Sequence, residues 1–198
     1  AAGGFRPPGE RWTLDVAGDV ATLTIPTFVV RDDSLDWKGW LRSALARLRA
    51  ERVATLIVDL RANEGGDGEA ADSLLTALLQ HPFITPAVRP ESAYERVPYV
   101  LARFLDTWDF DFFDRTGQVE KTSGRNWLLR SRVSDGDTLR PSPYAFRGRV
   151  FLLVGPENSS AGYVMARNAQ ESGAALLVGQ PTGGNRRGLN GGELCWVT

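Results

Sequence analysis

Apolar positions along the chain follow two periods, and their succession lays out the elements. Alternation marks Trp12 to Val16 and Val20 to Ile25, on either side of Ala17-Gly18-Asp19, and predicts a hairpin closed by a tight turn. Pro26 ends the second strand. From Ser34, a residue type suited to cap a helix, to about Glu51, residues Trp37, Trp40, Leu41, Ala44, Leu45 and Leu48 recur near one helical face. Val53 to Leu60 is a near-continuous apolar run, the pattern of a strand covered on both faces. A second amphipathic helix follows from about Gly68 to Gln80, carrying Ala71, Leu74, Leu75, Leu78 and Leu79, and stops at His81-Pro82.

Between Ile84 and Arg149 the periodicity weakens. A helix is predicted from Glu91 or Ser92 to about Trp108, with Pro98 inside it or splitting it. Phe110, Phe112, Phe113 and Trp127 interleave there with Asp106, Asp109, Asp111 and Asp114, in a pattern that lacks the glycine and terminal glutamate of a calcium loop. We read 84–148 as an insertion: a lid or substrate wall over the core cleft, or an extra packed subdomain. Regularity returns at Val150 to Val154, a short buried-type strand ended by Gly155-Pro156. Ser159, Ser160, Ala161 and Gly162 then open a helix closed by Gly173, and Ala174 to Val178 reads as a second buried strand. The succession predicts an α/β domain with a mixed β-sheet flanked by helices, plus a helical or irregular insertion.

Two corners carry candidate chemistry. A serine where a strand turns into a helix sits among free N–H groups at the positive end of the helix dipole, and small neighbours let a carbonyl approach the backbone. Ser159 or Ser160 is equally suited to be a plain helix cap. The other corner, Asp59-Leu60-Arg61-Ala62-Asn63-Glu64-Gly65-Gly66, ends in a glycine pair that bares N–H groups before the next helix, or that serves only as a tight turn. An Asp59–Arg61 pair suits loop fixing by charge-assisted hydrogen bonds.

These segments resemble the S41 peptidases, the C-terminal processing or tail-specific proteases. The glycine corner matches their D-L-R-x-N-x-G-G. The segment Asn158-Ser159-Ser160-Ala161-Gly162-Tyr163 matches S-A-S-A-S-E, Gln170-Glu171-Ser172-Gly173 matches Q-D-x-G, and Val178-Gly179-Gln180-Pro181-Thr182 matches V-G-E-x-T. The resemblance implies a ClpP/crotonase-like core. It implies Ser160 as nucleophile, the Ala161 N–H with a Gly65 or Gly66 N–H as oxyanion hole, and Glu171 as an acidic residue orienting the site. The family lysine falls on Asn185, which cannot take a proton. Pro181-Thr182-Gly183-Gly184-Asn185 is closer to the branch that includes tricorn-like and retinoid-binding-module relatives. No histidine lies upstream where tricorn-like members keep their base. The sole histidine, His81, reads as a helix-end residue. The general base is therefore expected from outside this stretch, with little turnover by these residues alone.

Composition narrows the classes. The chain has 198 residues with a formal net charge of −1, enough for a real core and without the charge of a nucleic-acid or membrane-surface protein. One cysteine, Cys195, allows no internal disulfide, and one histidine speaks against a zinc site, so no cofactor or metal is expected. No apolar run is long enough to span a bilayer. Glu193 to Thr198 reads as a strand just beginning, so the chain is expected to be a fragment, a single peptidase core over 1–198. The leading reading is a serine endopeptidase acting on a peptide or protein substrate; by family analogy the location is periplasmic or in the cell envelope. An inactive binding module for an apolar ligand or peptide on the same fold is the alternative, and a crotonase-like acyl-CoA enzyme a weaker third.

Overall fold

The computed structural model describes residues 12–30, 36–107, 110–184 and 196–197. The chain divides into two compact units, Ala1–Phe83 with Leu139–Gly191, and Ile84–Thr138 with Gly192–Thr198. The expected insertion, 84–148, thus differs from the second unit at its end, because 139–148 belong to the first.

The first unit is built on a five-stranded sheet. In chain order its elements are β1 (Thr13–Ala17), β2 (Val20–Thr24), α1 (Trp37–Ala50), β3 (Thr55–Asp59), α2 (Gly68–Leu78), β4 (Arg149–Val154), α3 (Ser160–Glu171) and β5 (Leu176–Gly179). The strand order is β1-β2-β3-β4-β5. The β1–β2 hairpin is antiparallel and turns at Gly18, whose φ of 65° suits glycine. The remaining three pairings are parallel, each joined by a crossover. Alternate residues of the sheet, Leu23, Leu56, Val58 and Leu152, are buried in one core with Leu45, Leu48, Leu74, Leu75, Leu78, Met165 and Ala169 of the helices. The opposite face carries Thr22, Ile57, Phe151 and Leu153, half-buried, and Leu176 and Val178, 62% and 43% exposed.

Two expectations are corrected here. Among the described residues the 174–178 run is not a buried strand: β5 has no neighbour beyond it there, and an apolar run alone does not tell whether a further strand lies beside it. Among the described residues the 53–60 run is covered by helices on one face only, with Ile57 and Asp59 half-buried.

Local signals set the helix ends. The side chain of Asp36 caps α1 by accepting from the Gly39 N–H at 2.8 Å, and Asp67 caps α2 by accepting from Glu69 and Ala70 N–H at 2.7 and 3.2 Å. Ser34, the predicted cap, lies outside the described residues. Helix α2 ends at Leu78, so His81 stands beyond the helix rather than in its last turn. Trp12 is buried against Phe28, Trp37 and Trp40, with ring centroids 5.8 to 6.3 Å apart. Its indole N–H donates to Thr27 O at 2.9 Å. Trp12 is core, with Trp37 and Trp40 half-buried against it, and it seats Phe28, whose backbone matters below.

The second unit holds a three-stranded antiparallel sheet of Glu91–Ser92, Trp127–Leu129 and Val119–Lys121. The long helix predicted from 91 is absent. Pro98 instead precedes a single turn, Tyr99–Ala102, that buries none of its residues. Proline lacks the N–H an interior helical position must donate, so it starts this turn and cannot sit within a longer one. The dense aromatics pack with each other: Phe112 lies 5.7 Å from Tyr94 and 5.5 Å from Phe113 between ring centroids. The Tyr94 hydroxyl donates to Phe112 O at 2.8 Å. Asp114 pairs with Arg96 at 2.9 Å, and among the described residues no group of three His, Cys, Asp or Glu could hold a metal. Trp196–Val197 pairs antiparallel with Leu105–Asp106; the rest of 193–198 lies outside the described residues. Among the described residues no helix is long and apolar enough to cross a membrane.

Asp36→Ala is expected to lower the unfolding free energy by about 1 kcal/mol, the usual cost of a lost cap. In urea the midpoint falls while the slope stays constant; an unchanged midpoint would show that the cap contributes nothing.

Candidate active site

The two corners singled out in the sequence meet. Both stand at the carboxyl ends of adjacent parallel strands, Asp59 of β3 and Val154 of β4, and two buried asparagines tie them together. Asn158 has no exposed surface. Its amide nitrogen donates across to Leu60 O and to Asn63 O, the latter at 2.9 Å, while its amide oxygen accepts from the Gly155 N–H at 2.8 Å. Asn63, equally buried, donates from its amide to Ile25 O at 3.0 Å and accepts from the Gly65 N–H at 2.8 Å. Gly162 is compulsory beside them, because a Cβ there would stand 2.6 Å from Asn63 O.

Gly65 brings the corners into contact. A Cβ on it would lie 2.8 Å from the Ser160 Cβ and 3.0 Å from the Ala161 nitrogen. Its φ of 114° is closed to other residues in any case. Gly66, with φ 133°, lies against the Phe28 backbone, which a Cβ would strike at 2.3 Å. The Phe28 N–H donates to Gly65 O at 2.9 Å, and the Asp67 N–H donates to Phe28 O at 2.8 Å. In a trans peptide the carbonyl and the N–H point in opposite directions, so the bonded Gly65 carbonyl sends the Gly66 N–H away from Phe28. The two glycines named for one role are thus distinguished: Gly65 N–H is held by Asn63, and Gly66 N–H meets no acceptor among the described residues.

Ser160 is the first residue of α3 and has φ 45°, a left-handed backbone that a non-glycine residue holds at a cost of about 1–3 kcal/mol. Its side chain is half-buried and its hydroxyl has no partner among the described residues. Ser159 occupies the cap position without capping: its hydroxyl donates instead to Glu64 O at 2.9 Å, a third tie between the corners. The first amides of α3, Ala161 among them, are left without a side-chain acceptor, at the positive end of the helix dipole. The Ser160 hydroxyl and the Ala161 N–H therefore lie open beside Gly65, and the Gly66 N–H follows one residue on.

Glu171 is not brought there. It ends α3, eleven residues on from Ser160, which at 1.5 Å per residue is about 16 Å away. Asn185 lies outside the described residues. Arg61 binds Asp59 in a fork, Nε to Oδ1 at 3.0 Å and Nη2 to Oδ2 at 2.7 Å, and its N–H donates to Oδ1 as well. The side-chain bond from Arg61 holds the Asp59 carboxyl below its usual range, against the opposing effect of burial. A recess of about 620 Å³ opens at the carboxyl ends of the four parallel strands, between Thr24, Asp59, Val154 and Gly179. Ser160, Gly65 and Gly66 do not line it, so it is a neighbour of the serine corner and not the corner itself. Sequence reading left Asn158 without a role. An asparagine three residues after the glycine of a Gly-Pro turn, closing that turn with its own amide oxygen, was the available signal.

The family model for peptidase family S41 matches residues 19–190. The chain belongs to peptidase family S41. No curated protein matches it. Solved structures share its fold. A proposed peptidase of Parabacteroides merdae ATCC 43184 is 17% identical with a TM-score of 0.57, over 86% of this chain and 46% of that one. Mature CPAF complexed with lactacystin is 18% identical with a TM-score of 0.54, over 86% and 40%. The photosystem II D1 C-terminal processing protease is 16% identical with a TM-score of 0.51, over 82% and 30%. The chain spans less than half the length of each.

Asn158→Ala strands Asn63 O and the Gly155 N–H in a buried site, while Leu60 O keeps the Asn63 N–H. We expect roughly 2 kcal/mol or more of lost stability in urea titration, at about 1–3 kcal/mol per unsatisfied group. Asp59→Asn should act through pH. A carboxyl with its folded pKa depressed contributes stability above its unfolded pKa and loses it as pH falls through the folded value. The wild-type advantage over Asp59→Asn is therefore expected near neutrality, below about 1 kcal/mol because the Arg61 partner is largely exposed, and gone in strong acid. A pH-independent difference would overturn the assignment.

Proposed function

We propose that the chain is the catalytic core of a serine endopeptidase with Ser160 as nucleophile. The observation that carries this reading is the contact of Gly65 with Ser160 and the Ala161 nitrogen, which sets an unbonded hydroxyl beside unbonded amides. Ser160 Oγ attacks the carbonyl carbon of a peptide, and the oxygen that becomes negative is met by the Ala161 and Gly66 N–H groups. One such donor supplies on the order of 3 kcal/mol of transition-state stabilisation. Both are backbone groups fixed by the asparagine ties and the Phe28 bonds, so they need no reorganisation as charge develops. The left-handed φ of Ser160 aims its side chain out of the helix start, the geometry of a nucleophile on a strand-to-helix turn. Membership of the family makes peptides or proteins the substrate class.

A fluorophosphonate probe reads the nucleophile directly. Wild type is expected to be labelled at Ser160, located by peptide mass spectrometry, and Ser160→Ala to lose both the label and cleavage of an unfolded protein substrate by about 10³-fold or more. Labelling at another residue, or equal rates in the two proteins, would remove Ser160 from the chemistry.

A further inference from the structure

The side of α3 that carries Ser160 also carries a cation. In a helix the third and seventh positions after a residue share its side, and for Ser160 these are Tyr163 and Arg167. Arg167 is half-buried and stands about 10 Å along the axis from Ser160, at 1.5 Å per residue. Its guanidinium is fixed on one edge and one face. Nε and Nη2 both donate to Asn168 Oδ1, at 3.3 and 3.2 Å, and the guanidinium carbon lies 5.9 Å from the centre of the Tyr163 ring. Both holders are buried, Asn168 at 2% and Tyr163 at 6% exposed. A guanidinium only donates, so one amide oxygen takes the Nε edge and leaves the Nη1–Nη2 edge open. Arg61, Arg89 and Arg96 each meet an aspartate. Among the described residues no carboxylate pairs with Arg167, and the Tyr163 hydroxyl beside it has no partner. A cation partly out of water with no anion against it is costly, and it is oriented here by neutral groups that do not cancel its charge.

Resting on the serine reading above, we propose that Arg167 is a specificity-determining residue whose open edge binds a carboxylate of the peptide substrate. Two parallel N–H···O bonds from Nη1 and Nη2 match the two oxygens of a carboxylate. An extended peptide advances about 3.3 Å per residue, so one lying along α3 with its scissile carbonyl at Ser160 carries that carboxylate about three residues from the cleaved bond. An aspartate or glutamate side chain and a chain terminus offer the same group. Asn168 and Tyr163 orient the guanidinium before substrate arrives, so less freedom is lost when the carboxylate binds.

The test reads binding on the full chain carrying Ser160→Ala, so that it does not depend on turnover. The probes are fluorescein-labelled alanine-serine peptides of about ten residues, followed by fluorescence anisotropy. One glutamate is moved through the positions, each peptide has a glutamine twin, and each is made with a free and with an amidated C-terminus. A peptide with a well-placed carboxylate is expected to bind about tenfold more tightly than its neutral twin, the size of a charge-assisted hydrogen bond. A preference that follows the glutamate assigns a side chain, and one that follows the free end assigns the terminus. Adding Arg167→Gln is expected to bring the ratio to about one, and Arg167→Lys to keep part of it. The ratio compares two peptides on one protein, so a loss of folded protein does not mimic the effect. Equal binding of charged and neutral peptides, or a preference that survives Arg167→Gln, overturns the proposal. Fluorophosphonate labelling of wild type separates the two readings. A label at Ser160 without a carboxylate preference strikes this inference alone, and a preference lost in Arg167→Gln without that label strikes the serine reading and leaves the anion site.

Discussion

The site depends on two carboxamides with no access to water. Asn63 and Asn158 stand one in each corner, and each satisfies backbone groups that the strand ends leave open: Ile25 O and the Gly65 N–H for the first, Asn63 O and the Gly155 N–H for the second, which also gives Leu60 O a second donor. A parallel sheet ends its strands side by side, but the loops that follow are free to diverge. The loss of buried hydrogen bonds sets the cost of divergence, and a buried polar group without a partner costs about 1–3 kcal/mol. Asparagine suits the task because one side chain donates and accepts at once, which neither aspartate nor leucine of similar size can do.

Close approach is the second requirement, and glycine meets it at three places for three neighbours. Gly65 admits Ser160 and the Ala161 nitrogen, Gly66 admits the Phe28 backbone, and Gly162 admits Asn63. The left-handed φ of Ser160 and the uncapped start of α3 are costs borne where chemistry is proposed. The Ser159 hydroxyl, which could have capped the helix, is turned to Glu64, so the helix start is kept in place without its amides being consumed. The tryptophan cluster does the same from further off: by burying Phe28 it fixes the carbonyl of Gly65, and so the direction of the Gly66 N–H.

Much of this was legible in the chain, for physical reasons. Periodicity marks elements that bury one face, and the hairpin, α1, β3, α2, β4 and α3 all do. Glycine pairs and strand-to-helix serines mark corners because few other residues fit there. What was not legible depends on distance in space. Nothing in 174–178 says that, among the described residues, β5 has a neighbour on one side only. Glu171 belongs to the matched motif, yet α3 carries it a helix length from Ser160. The choice between Gly65 and Gly66 turns on which N–H Asn63 takes, a contact invisible to spacing. Asp36 caps α1 where Ser34 was read as the cap, since two residue types of similar capping strength stood two positions apart.

The same physics bears on how so little shared sequence maintains one fold with structures 16–18% identical. The oxyanion donors proposed here are main-chain groups, and main-chain groups are indifferent to most side chains that flank them. What shapes the backbone here is a small set: the asparagines that join the corners, the glycines that let them touch, and the apolar strands that deliver both loops to one edge. The proton acceptor has no such constraint. It must only place a basic atom beside one hydroxyl, and any loop that passes the corner can supply it. The backbone site can thus stay intact wherever the base comes from.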